Sequence, residues 1–137
     1  MSPDPKAVAR RFYEIMGAWS RDALDEICSP DLRGHAGAGA DLEQLKDSIG
    51  SFVQAFPDLR AEVRHLVREN DTVSSWVSYE GTHKEEFAGV PGSGRSVRFA
   101  AWDLFRIENG EIVEITQYCD LFTILNQIGA LPTTAPA

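Results

Sequence analysis

Between Glu111 and Pro132 the chain reads EIVEITQYCDLFTILNQIGALP, a strand-like run that ends on one carboxylate, Asp120, with an apolar helix directly after it. A charge costs least in water, so a carboxyl in this context invites a chemical role. Asp120 shares strand parity with Ile112, Glu114, Thr116 and Tyr118, and if Ile112 faces an interior then Asp120 does too, barring a bulge. A carboxyl set among Tyr118, Trp102 and Leu121 would be desolvated. Desolvation raises its pKa toward neutrality, where general acid/base catalysis works best. Asp120 could instead cap the helix that begins at Leu121, and the helix dipole would then lower its pKa. Position alone leaves both roles open.

Asp103 is flanked by apolar residues in AAWDLFRI. It could be a second pocket acid, or it could pair with Arg98 or Arg106 on the sheet surface, and the ion pair is the preferred reading. Two carboxylates close together would push one pKa upward, so their separation matters. Among the histidines, His35 ends a short strand before a small-residue loop, His65 alternates with Val63 and Val67, and His83 opens the loop Glu85 to Arg95. A lone loop histidine such as His35 is ordinarily a solvated surface group. His83 reads as a structural tie for its loop near a pocket mouth, and His65 faces inward without an evident partner. No H-x-H, H-E-x-x-H or Cys/His spacing accompanies them, so no metal site is expected.

The elements that must position these groups follow from periodicity. Val8, Phe12, Ile15, Met16 and Trp19 recur at helical spacing, predicting an amphipathic helix from Pro5 to Trp19 capped by Asp4. DALDEIC reads as a short second helix with Asp22 as its cap, and one short strand is expected around Leu32 to His35. Leu42, Leu45, Ile49, Phe52, Val53 and Phe56 mark a longer helix ending before Pro57. Beyond Pro57 the period changes to two. LRAEVRHLVREN, TVSSWVSYEGTH, SVRFAAWDLFRI and IVEITQYCD read as four strands, with ND and ENGE as turns and KEEFAGVPGSGR as a loop. A tail helix runs from Leu121 to Ile128, with Gly129 after it. Helices followed by an antiparallel meander predict an α+β domain, and a curved sheet with helices across its concave face makes a cone with an open mouth.

Composition narrows the function classes. A chain of 137 residues is read as one domain, 1–137, with the tail 132–137 (PTTAPA) expected to be flexible. Net charge is -8 and pI about 4.8, which repels phosphate backbones and anionic membranes, so neither nucleic acid nor a membrane is expected as partner. Cys28 and Cys119 make no disulfide framework, no P-loop or G-x-G-x-x-G is present, and no signal-like apolar core opens the chain. A cytoplasmic protein is expected. Trp76 and Tyr79 stand on opposite parities of one strand, giving each sheet face an aromatic and predicting a homodimer or larger assembly.

FPDLRAEV, EGTHKEEFAGVPGSGRSV, DLFRIENGEIVE and DLFTILNQIGAL resemble, in order and spacing, the SnoaL-like polyketide cyclases. These belong to the nuclear-transport-factor-2-like α+β barrels, and the resemblance spans Phe12 to Leu131. It implies a curved sheet around an apolar cavity and no metal or organic cofactor. It implies Asp120 as general acid/base for an intramolecular aldol ring closure of an anthracycline-type aromatic polyketide. It implies His35 lining the cavity, where it would bond a substrate carbonyl or orient Asp120. Asp103 is kept as a further catalytic candidate, with Phe12, Met16, Phe52, Trp102, Thr116, Tyr118 and His83 as substrate-binding candidates. The sequence departs from the pattern at Thr116, where many relatives carry Trp, and at GSG, where they carry Pro-Thr-Gly. Two other functions fit the resemblance. One is an anthracycline hydroxylase of the same fold, whose electrons would come from a reductase partner or the substrate. The other is a non-catalytic binding or dimerisation module.

Overall fold

A computed structural model describes residues 3–130, so the flexible tail expected at 132–137 and the end of the resemblance at Leu131 lie outside the described residues. Helix α1, Pro5–Gly17, starts with proline in its first turn, where the missing N–H has no helical partner to lose, and Asp4 accepts from the Lys6 N–H at 3.0 Å. It stops at Gly17, short of the expected Trp19, since glycine is the weakest helix former after proline. Val8, Phe12, Ile15 and Met16 are buried along it. The expected helix at DALDEIC is a single 3-10 stretch, Arg21–Glu26, and Ser20 rather than Asp22 stands at its N-cap. Helix α2, Leu42–Ala55, is capped by Asp41, which accepts from the Gln44 N–H at 2.9 Å, and it ends two residues before Pro57.

Five strands form one sheet in the order β1-β5-β4-β3-β2: β1 Cys28–Ala36, β2 Arg60–Glu69, β3 Thr72–Thr82, β4 Ser96–Glu108 and β5 Glu111–Cys119. Strands β2 to β5 are the antiparallel meander, while β1 lies parallel to β5 at the sheet edge. Asn109 and Gly110 both have positive φ (52° and 77°), which is what a tight hairpin between right-twisted strands needs. Helix α3, Leu121–Gln127, follows β5, and Gly129 beyond it takes the left-handed conformation at φ 77°. The helices α1 and α2 cover the inner face of the curved sheet. There Phe12, Phe56, Phe105, Ile112 and Ile115 are fully buried.

Two strands break the simple alternation. In β2 the register slips between Val63, opposite Val77, and His65, opposite Trp76. That bulge moves Leu66 onto the core side and leaves His65 and Val67 exposed, which corrects the inward placement of His65. In β5, Ile112 pairs with Ile107 and Glu114 with Arg106, so Val113 is the extra residue. Everything after it changes face.

Candidate active site

The β5 bulge decides which side chains reach the interior. Beyond Val113 the inward residues are Ile115, Gln117 and Cys119, opposite Phe105, Asp103 and Ala101 of β4. Glu114, Thr116 and Tyr118 fall on the outer face, opposite Arg106, Leu104 and Trp102. Thr116 therefore does not point into the cone. Trp102 stacks on Tyr118 outside the barrel, with ring centroids 6.1 Å apart, and its indole N–H donates to Ser74 Oγ at 2.7 Å.

Inside, α1, α2 and the sheet leave a narrow cavity of about 90 Å³. Met16, Phe52, Tyr79 and Phe99 give it apolar walls, Asp103 and Gln117 are polar groups facing it, and Tyr118 and Cys119 also border it. Asp103 is 1% exposed. Its Oδ2 accepts from the Tyr13 hydroxyl at 2.5 Å. Burial pushes the Asp103 carboxyl up to about 6, against the opposing pull of hydrogen bonds from Tyr13 and Gln117. Tyr79 and Tyr13 are both held protonated, first by burial and then by the nearby Asp103 charge.

The surface ion pair expected for Asp103 is corrected by strand parity. Arg98 and Arg106 lie on the other face of β4, where Arg98 binds Glu80 at 2.7 Å and Arg106 binds Glu114 at 3.1 Å and Glu108 at 2.7 Å. Asp120 is exposed and lies outside the cavity lining. Its Oδ1 accepts from the Thr123 N–H at 3.1 Å and its Oδ2 from the Thr123 hydroxyl at 2.5 Å, so it caps α3. Those two bonds, hydroxyl first, hold its pKa below the usual carboxylate range. The interior placement expected for Asp120 fails because the bulge turns its side of the strand outward.

His35 also stands outside the cavity. It is half exposed on β1, with Nε2 2.7 Å from Glu114 Oε2. His83 is fully buried away from the cavity lining. Its Nδ1 lies 2.8 Å from Ser93 Oγ and accepts from the Ser93 N–H at 3.2 Å, which ties the two ends of the loop between β3 and β4. Phe12 is core rather than cavity wall, packed edge-on against Tyr13 and Phe105. Of the expected substrate-binding residues, Met16, Phe52 and Tyr118 border the cavity, while Phe12, Trp102, Thr116 and His83 do not reach it in the ways expected. Among the described residues no three His, Cys, Asp or Glu side chains converge as a metal site, and no helix is long and apolar enough to cross a membrane.

Sequence reasoning missed Tyr13, Ser75 and Gln117. A signal for Tyr13 was present, because Ala9, Tyr13 and Met16 extend the apolar stripe of α1 by one row. Gln117 carried none, because its inward direction depends on the bulge.

A family model described as SnoaL-like polyketide cyclase matches residues 6–128. The chain belongs to the SnoaL-like polyketide cyclase family. Its fold is similar to that of IdmH, a candidate polyketide cyclase from Streptomyces antibioticus, at 28% identity and a TM-score of 0.82, covering 93% of this chain and 99% of that one. AclR, a candidate hydroxylase from Streptomyces galilaeus, is similar at 25% identity and a TM-score of 0.85, covering 93% of this chain and 97% of that one. A candidate SnoaL-like cyclase from Jannaschia sp. CCS1 is similar at 25% identity and a TM-score of 0.83, covering 93% of each chain. No functionally curated protein matches the chain.

Proposed function

We propose that this SnoaL-like protein catalyses an intramolecular aldol ring closure of an aromatic, anthracycline-type polyketide precursor, with Asp103 as its acid/base. The observation that carries the reading is a carboxyl buried at an apolar cavity with its pKa pushed up to about 6. Near that pKa one group can take a proton and return it. Ionised Asp103 removes the proton from a carbon lying between activating groups. The resulting enolate carbon bonds to the ketone carbon, and protonated Asp103 delivers the proton to the ketone oxygen. Atoms balance, no electrons leave the substrate, and the step calls on no organic cofactor. A cavity of about 90 Å³ has room for roughly six water-sized groups, about the ring being closed.

The likeness to AclR supports a second reading, hydroxylation, which needs oxygen and two electrons from a reductase partner or the substrate. The third reading is a binding module without turnover. Ring-open anthraquinone ketoesters incubated with and without oxygen and a reductant separate all three. A cyclised isomer of unchanged mass is expected. A product that gains one oxygen atom, formed only with oxygen and reductant, would replace the cyclase reading. Binding with no product under either condition would replace both.

A homodimer is proposed through the outer face of the sheet. Trp76 is 50% exposed and Tyr118 60% exposed there, beside the Trp102 ring, an apolar area that a second copy would cover. Sedimentation at micromolar concentration should give a dimer that Trp76→Glu shifts to monomer; a monomeric native protein would remove this assembly.

A further inference from the structure

Behind Asp103, on the side away from the cavity, two hydroxyls form a closed ring of contacts with it. Ser75 is the direct cross-strand partner of Asp103, and Tyr13 arrives from α1. The Tyr13 hydroxyl donates to Asp103 Oδ2 at 2.5 Å and also contacts Ser75 Oγ. Ser75 Oγ lies 3.4 Å from the Asp103 backbone carbonyl, a long bond at the edge of the useful range. Neither Tyr13 nor Ser75 borders the cavity, so both act on a ligand only through Asp103.

The hydrogens in this ring have two possible directions. In the first, Ser75 donates to the Tyr13 oxygen, and Tyr13 donates to Oδ2. Every hydroxyl then makes a close bond, and the transferable proton of Asp103 sits on Oδ1. In the second, the proton sits on Oδ2 and donates to Tyr13, Tyr13 donates to Ser75, and Ser75 is left with the 3.4 Å contact to the carbonyl. Both directions use the same two close contacts, but an ionised Asp103 can only accept, so Tyr13 must then donate to Oδ2, and only the first direction stays the same when Asp103 is protonated. Proton transfer then requires no hydroxyl to rotate in a buried site, where an unsatisfied group is costly.

We propose that Tyr13, backed by Ser75, is a positioning residue that fixes the transferable proton of Asp103 on Oδ1, the oxygen left for Gln117 and the cavity. The inference rests on the reading of Asp103 as acid/base. The other titratable groups facing Asp103 are Tyr79 from β3 and Cys119 from β5, while α2 brings Ser48 to the cavity and no titratable side chain. Burial raises both Tyr79 and Cys119, so they remain neutral while Asp103 titrates.

The test follows the carboxyl itself and needs no substrate. Protein labelled with carbon-13 at the aspartate carboxyls is titrated by NMR, and Asp103→Asn identifies the Asp103 resonance by its loss. Tyr13→Phe keeps the ring and removes the donor, so the Asp103 midpoint should rise by about one pH unit. Ser75→Ala should raise it less, and the double variant should match Tyr13→Phe because Ser75 acts through Tyr13. An unmoved or lowered midpoint in Tyr13→Phe overturns the proposal, as does an additive double variant. Should Tyr13→Phe not fold, an unmoved midpoint in Ser75→Ala overturns it alone. In turnover, Tyr13→Phe should lose about tenfold and move the pH profile the same way. Full activity in Asp103→Asn would end the acid/base reading, whereas an inactive Asp103→Asn with an unmoved Tyr13→Phe midpoint would end only the positioning role.

Discussion

Turnover should fall by roughly 10²–10⁴ when Asp103 is replaced by Asn, because the amide keeps the shape and can still accept from Tyr13 but cannot carry a proton in and out. Asp120→Asn, made in parallel, should leave the rate near native, since asparagine caps a helix about as well as aspartate. The opposite pattern, with Asp120→Asn inactive and Asp103→Asn near native, would return the chemistry to the end of β5. Stability provides a second readout with a definite sign. The Asp103 carboxyl rises from 3.8 to about 6 on folding, so the folded protein holds a proton that the unfolded chain has released between those values. Stability from this group is therefore fully present below about pH 4. It is lost as pH rises, and the loss levels off above about pH 6. The full span corresponds to on the order of 3 kcal/mol. Asp103→Asn lacks this slope, so its stability relative to the native protein should grow between pH 4 and pH 7 in paired denaturant titrations. A difference that is flat in pH would mean that Asp103 is not perturbed by burial.

Phe12→Ala should cost about 3–5 kcal/mol in urea or thermal unfolding, the largest loss expected from a single truncation in α1. Phe12 is 0% exposed, and its ring meets the edges of Tyr13 and Phe105, each at 5.3 Å between centroids. Truncation leaves a void between α1 and β4, and packed interiors relax only partly into such a void. Phe12 does not border the cavity, so KM measured on the folded fraction should change little. A loss below about 1 kcal/mol together with a large rise in KM would make Phe12 a substrate wall, as its standing among the substrate-binding candidates of the sequence had it.

Much of the fold was legible in the sequence because it is written in local patterns. The change from a 3.6-residue to a two-residue period at Pro57 separates helices from meander, and both Asp4 and the Asn109-Gly110 turn act where their residue types predict. The parity that sets Asp103 apart from Arg98 and Arg106 was equally local, and counting it would have excluded the ion pair that the flanking residues favoured. The bulges were not legible. A bulge inserts one residue into a ladder, and Val113 in β5 looks like any other strand residue, yet it reverses the face of every side chain that follows. The interior position argued for Asp120 depended on that single phase, as did the position of Thr116. The parallel seat of β1 against β5 and the bond from Tyr13 to Asp103 across 90 residues of chain are likewise set by packing. Sequence alone determined which segments are helices and strands and which family they make, since periodicity and spacing are properties of neighbours along the chain. Tertiary structure alone decided which carboxylate is buried, since burial depends on which distant residues close over it.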